Sequence, residues 1–176
     1  MDKLRVLIIA DDHFARAGLA TIFESLESID VVASQQSADD LGNAISTYRP
    51  NVLLWDLGWE MSESIVRLEN YFEGGEAKLA EDESTSSQDP PVLALVTEAE
   101  DSPAARAAGV RGVLRRDASP EMLSASLRAV VLGMFVCDPE FEPFIFATNA
   151  IPIEPLVEPL TPRELEILQL IAEGLA

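Results

Sequence analysis

The sequence predicts an α/β protein built on a five-stranded, doubly wound parallel sheet. Three observations carry this. Short, continuous aliphatic runs occur at 6–10, 29–33, 52–55, 92–96 and 112–114, as expected of strands covered on both faces by helices and not of strands that alternate between core and solvent. The stretches between them carry apolar residues at helical spacing, and parallel strands need such crossover helices. Right-handed crossovers then set every strand in one direction and bring the strand-end residues to a common carboxyl edge.

The run at 6–10 ends at Asp11-Asp12-His13. From Phe14 the period changes, and Leu19, Ile22, Phe23 and Leu26 fall at i, i+3, i+4 and i+7, one stripe of a helix. A second strand at 29–33 leads into Ser37-Ala-Asp-Asp40, a cap region for a helix carrying Leu41, Ala44, Ile45 and Tyr48, which Arg49-Pro50-Asn51 stops. The third strand, 52–55, delivers Asp56. Ile65, Leu68 and Phe72 predict a helix ending near Gly74-Gly75, and the acidic, weakly hydrophobic stretch 76–91 predicts a mobile surface loop. The strand at 92–96 ends at Thr97. Ser102-Pro103 reads as an N-cap followed by proline at the first helical position, and Gly109 closes that helix. The fifth strand, 112–114, runs into Arg115-Arg116-Asp117, and Ser119-Pro120 opens a last helix with Leu123, Leu127, Val130 and Val131 inward.

The chain has 176 residues, room for one well-buried domain of about 1–132 and a small appendage. With 31 acidic against 12 basic residues its formal charge is −19, which opposes binding to nucleic acid or anionic membrane, since no basic segment is set apart. The single cysteine, Cys137, has no internal partner, and the amino-terminal residues lack a signal-peptide core. The longest uncharged apolar run, 129–137, is far below the roughly twenty residues of a bilayer span. A cytoplasmic setting is the expectation.

Residues 133–159 hold prolines 139, 143, 152, 155 and 159, phenylalanines 135, 141, 144 and 146, and no Lys or Arg. This predicts a linker pinned to the domain by its aromatics. Thr161-Pro162-Arg163-Glu164 is a capping box with proline at N1, and Leu165, Leu168, Ile171 and Ala172 form an amphipathic stripe. One helix cannot bury a core alone, so 160–176 is expected to begin a further domain.

At the carboxyl edge the predicted fold gathers Asp11, Asp12, Asp56, Thr97 and one of Arg115 and Arg116. Three carboxylates in one crevice repel one another and persist ionised only around a cation. Magnesium suits such a site, because it binds through few carboxylates and keeps waters. An acid pair, a central aspartate, a hydroxyl and a cation are also the parts that phosphoryl transfer to a carboxylate requires. Asp56 would be the nucleophile, and the metal, Thr97 and an arginine would meet the charge on the equatorial oxygens.

These motifs resemble the response regulators of two-component signalling, of the NarL/LuxR type. The resemblance covers about 4–132 and is carried by Ile9-Ala-Asp-Asp-His13, Arg16-Ala-Gly-Leu19, Val52-Leu-Leu-Trp-Asp56, Val96-Thr97 and the stretch 109–121. Leu160-Thr-Pro-Arg-Glu-Leu-Glu-Ile-Leu-Gln-Leu-Ile-Ala-Glu-Gly-Leu-Ala176 is similar to the first scaffold helix of a LuxR-type helix-turn-helix domain, the most specific of these motifs. The resemblance implies a flavodoxin-like receiver of strand order 2-1-3-4-5 and phosphorylation of Asp56 by a sensor histidine kinase. It implies Mg2+ on Asp11, Asp12, Asp56 and the Gly58 carbonyl, with Thr97 and Arg116 stabilising the phosphoryl group. It further implies a homodimer and a DNA-binding output whose recognition helix lies beyond Ala176, so that no DNA-binding residue is expected within 1–176.

The sequence departs from the family pattern around this same edge. Arg116 stands where a lysine is usual, Val113 where an aromatic switch is usual, and Glu98 where a small residue follows the hydroxyl. Leu57-Gly-Trp-Glu60 lacks a Met-Pro pair, and the segment between Asp12 and Arg16 is one residue short. The departures raise an alternative, an atypical receiver acting by phosphorylation-independent dimerisation or partner binding. An aspartate-nucleophile phosphatase of the haloacid dehalogenase type is disfavoured, since Gly58 stands where its second aspartate belongs; no enzyme activity is expected. His13 is expected to cap a helix or lie in a loop, Trp55 to be core, and Trp59 to cover the crevice.

Overall fold

A computed structural model describes residues 3–58, 61–79 and 89–147. The strands are β1 (Leu4–Ala10), β2 (Ile29–Gln35), β3 (Val52–Asp56), β4 (Val92–Val96), β5 (Gly112–Arg115) and β6 (Val136–Cys137). The helices are α1 (His13–Glu24), α2 (Leu41–Tyr48), α3 (Met61–Leu79), α4 (Ser102–Ala107), α5 (Pro120–Val131) and α6 (Glu142–Ala147), with 3-10 turns at Ala99–Asp101 and Pro139–Phe141. All strand pairs are parallel, in the order β2-β1-β3-β4-β5-β6. The α/β class and the order of the first five strands are those the sequence predicts. The count is corrected from five strands to six.

Each central strand is buried on both sides, which is why its sequence is continuously apolar. Leu7 and Ile9 of β1 and Leu53 and Trp55 of β3 face Ala44 of α2, Leu68 of α3 and Ala105 of α4. Val6, Ile8 and Leu54 face the opposite way, onto Leu19 and Phe23 of α1 and Leu123, Leu127 and Val130 of α5. The alternation of side chains along a strand thus divides one apolar run between two half-cores. Gly112 opens β5 where space is least: a Cβ there would stand 2.4 Å from Leu93 Cδ1 and 3.0 Å from Val130 Cγ2.

Helix boundaries follow their caps. Asp40 accepts a hydrogen bond from Asn43 N at the start of α2, and Ser119 Oγ accepts one from Met122 N at the start of α5. Arg49, left-handed at φ 44°, closes α2. Two helix predictions need correction. Ser102 is the first residue of α4 and not its cap, because the preceding 3-10 turn already draws the Ser102 hydroxyl onto Ala99 O at 2.6 Å. Helix α3 passes through Gly74-Gly75 to Leu79, carried by the helix formers Glu76, Ala77, Lys78 and Leu79. The remainder of the predicted mobile loop, 80–88, lies outside the described residues.

The compact unit also extends past the predicted boundary at 132, to Ile145. β6 pairs along β5, with Gly112 opposite Val136 and Val113 opposite Cys137, and Asp138 N donates to Val113 O at 2.9 Å. Phe141 and Ile145 are buried in the same half-core as Trp55 and Val113. The expectation of aromatic pinning holds for Phe141, whereas Phe144 and Phe146 remain exposed. The expected helix at 160–176 lies outside the described residues. No described helix is long and apolar enough to cross a membrane.

Candidate functional site

β3 sits between β1 and β4, with Asp56 in register with Ala10 on one side and Leu95 on the other. The last residue of a central strand is walled by its neighbours, and Asp56 is only 4% exposed. A carboxylate so placed needs partners to stay charged. Arg116 supplies them: Nε lies 2.7 Å from Oδ1 and Nη2 donates to Oδ2 at 2.7 Å. This is a two-point fork, the geometry that a planar guanidinium provides and an ammonium does not. The backbone fixes Arg116 in reach, because its N–H donates to Val96 O at 3.0 Å and so prolongs the β4–β5 ladder. Gly58 N adds a longer bond of 3.3 Å to Asp56 Oδ1.

The other acids of this edge are held apart from Asp56 by bonds of their own. Asp12 is the N-cap of α1, and its Oδ1 accepts from Phe14 N at 2.7 Å and Ala15 N at 2.9 Å. The Ala15 and Phe14 N–H groups hold its carboxyl below the usual aspartate range, and the positive charge of Arg116 adds to this. Asp11 turns toward β2 and α3. It accepts Ser37 N at 2.7 Å, the Ser37 hydroxyl on both oxygens, and Arg67 Nη1 at 3.1 Å. Arg67 also bonds the Ser37 hydroxyl and pairs with Glu63 one turn earlier at 3.6 Å. Thr97 Oγ1 donates to Gly58 O at 3.2 Å, and Gly58 adopts φ 75°, a backbone that glycine accepts readily.

The structure therefore brings Asp56, Arg116, Gly58 and Thr97 into one bonded group, with Asp12 beside Arg116 and Asp11 in a separate cluster. Each predicted magnesium ligand already serves a donor of the protein: Asp11 Ser37 and Arg67, Asp12 the turn of α1, Asp56 Arg116, and the Gly58 carbonyl Thr97. Among the described residues, no group of three or more His, Cys, Asp or Glu is disposed to hold a metal. The donor set as arranged does not fit a divalent ion.

Of the two candidate arginines, Arg116 points into the site. Arg115 points away, donating to Asp117 at 2.8 and 2.5 Å and to Glu140 at 2.7 Å. Glu98 is exposed, Val113 is fully buried, and Trp55 is core with a tilted contact to Tyr71 at 6.3 Å. His13 is the first residue of α1, edge-on to Phe14 at 6.0 Å. Trp59 lies outside the described residues. Sequence reasoning missed Ser37 and Arg67 as partners of Asp11. Ser37 had a signal, since it follows a strand that ends on the same edge; Arg67, on the surface of α3, had none.

A five-strand receiver order, with an acid, a hydroxyl and a cation on successive strand ends, defines the receiver class of two-component signalling. Comparison with known proteins agrees. The chain is 28% identical over 173 residues to the nitrate/nitrite response regulator protein NarL of Escherichia coli K12, covering 97% of this chain and 76% of that protein. It is 27% identical over 184 residues to the transcriptional regulatory protein LiaR of Bacillus subtilis, covering 97% and 77%. Among solved structures, the response regulator ChrA of a heme-sensing two-component system superposes with a TM-score of 0.61 at 26% identity, over 100% of this chain and 78% of that one. No family model matches. The chain is thus similar in sequence and fold to transcriptional response regulators of two-component systems.

Proposed function

We propose that this chain is the receiver of a transcriptional response regulator that works without magnesium-dependent phosphoryl transfer, by association with a partner or a second copy. The observation that carries this reading is the Arg116 fork on both oxygens of Asp56. An aspartate nucleophile needs one oxygen aligned with phosphorus, and a forked guanidinium engages both. Two neighbours support it. Glu98 adds negative charge beside the edge, and Val113 offers no ring to change rotamer when the site fills. Response-regulator receivers typically bind magnesium, but here the arranged ligands do not fit the ion.

A second reading, phosphorylation of Asp56 by a sensor histidine kinase, is favoured by one arrangement: Asp56, Thr97 and Arg116 share a bonded edge. In that reading Arg116 would move from the carboxylate to a phosphoryl oxygen, and Thr97 would leave Gly58 O to meet another. Incubation with magnesium and acetyl phosphate, followed by intact mass, separates the two. The first reading expects no added phosphoryl mass under conditions where a control receiver labels. Labelling that vanishes in Asp56→Asn would sink it in favour of the second. In either reading the output is transcription, through a LuxR-type helix-turn-helix domain that 160–176 would begin, in a cytoplasmic and dimeric regulator.

A further inference from the structure

We infer that Arg116 is the resident cation of this edge: it neutralises Asp56 from within the chain and thereby excludes a divalent ion. The inference rests on the proposed reading of the Asp56–Arg116 pair as the working state of the site.

The charge balance points this way. Asp56 carries a side chain only 2% exposed, and an ion so desolvated requires an opposite charge in contact. Arg116 makes that contact at both oxygens. Its position is not incidental, since the Arg116 N–H bond to Val96 O registers it against β4. A divalent ion entering here would have to displace a desolvated, two-point partner from Asp56.

Oxygens that could take an ion are nevertheless beneath it. Both cap bonds of Asp12 end on Oδ1. Asp56 would keep only the 3.3 Å bond from Gly58 N to Oδ1, and Gly58 O is held by the 3.2 Å bond from Thr97. Two carboxylates and a carbonyl are a hard-oxygen set of the magnesium kind. Removing the Arg116 charge should therefore uncover a divalent site. Asp11 takes no part, since Ser37 and Arg67 occupy it.

The test is Mn2+ titration of the full chain, read by electron paramagnetic resonance of free Mn2+ and repeated with Mg2+ in competition. Wild type is expected to take up no ion at millimolar concentration. Arg116→Gln should bind on the order of tenfold or more tightly than wild type, and Asp56→Asn added to it should abolish binding. Wild type binding as tightly as Arg116→Gln overturns the inference, as does an Arg116→Gln protein that is folded by circular dichroism and binds nothing. Should Arg116→Gln not fold, Arg116→Lys decides. Its compact ammonium covers less of the carboxylate, so it should bind more tightly than wild type, and equality with wild type counts against the inference. Failure of the functional reading is seen separately, as phosphoryl uptake by wild type in acetyl phosphate.

Discussion

Arg116 meets Asp56 with two parallel contacts of 2.7 Å, Nε on Oδ1 and Nη2 on Oδ2, at the buried end of the central strand β3. The side chain of Arg116 is itself only 17% exposed, so water screens the pair weakly. A pair of this kind is worth little against an apolar replacement of both partners but costs a good deal to break from one side.

Arg116→Ala should therefore destabilise the fold by about 3 kcal/mol, because it strands the Asp56 charge. Adding Asp56→Asn should recover much of that loss. Urea unfolding of the two single variants and the double variant measures the coupling, and strictly additive losses would show that the two residues do not stabilise one another.

The cap at Asp12 gives a pH dependence with a definite sign. Its folded carboxyl lies below the ordinary value of 3.8, first because of the Ala15 N–H and then the Phe14 N–H. A depressed carboxyl contributes stability above the unfolded value and loses it as pH falls through the folded value. The melting temperature of Asp12→Ala should lie below wild type at neutral pH, with a gap that closes under acid. Asp12→Ser, which caps without a charge, should keep most of the cap and show no such closure. A gap that stays constant to low pH would refute this account.

Phe141 tests where the folding unit ends. It is 1% exposed within the half-core that also holds Trp55 and Val113, so Phe141→Ala should cost about 3–5 kcal/mol. Phe144, 37% exposed two residues into α6, should tolerate the same change with little loss. Thermal unfolding of both variants decides the matter; a negligible loss in Phe141→Ala would mean that this residue does not anchor the segment after α5 to the domain.

Cys137 is half-buried in β6, and burial raises its thiol, with the charges of Glu142 and Asp138 acting in the same direction. Only the thiolate alkylates. At pH 8 the native protein should react with iodoacetamide more slowly than the same chain in urea. Equal rates in the two states would mean that the burial has no chemical effect.

The contrast between what the sequence disclosed and what it hid has a physical origin. Strands covered on both faces are written as unbroken apolar runs, so β1, β3 and β4 were legible residue by residue, and the residues that end them followed. β6 was not, because two residues, Val136 and Cys137, carry no period. The composition of the edge was legible from strand ends alone. Its pairings were not: long side chains decide whether Asp56 faces a metal or Arg116, and whether Asp11 turns to Asp56 or to Ser37 and Arg67. Asp12 was open to both readings, since an acid between a strand and a helical stripe is equally a ligand and a cap.

The sixth strand bears on how copies of this chain could aggregate. An uncovered strand margin is a template for backbone pairing with another chain, and very short end strands are one protection against it. β6 consumes the outer donors and acceptors of β5 and leaves a margin only two residues long. Among the described residues the opposite margin is the seven-residue β2, whose Asp30 faces Arg5 across 3.8 Å. Ribbon-like stacking of sheets is thereby discouraged on one flank by brevity. On the other flank it would have to accommodate an ion pair.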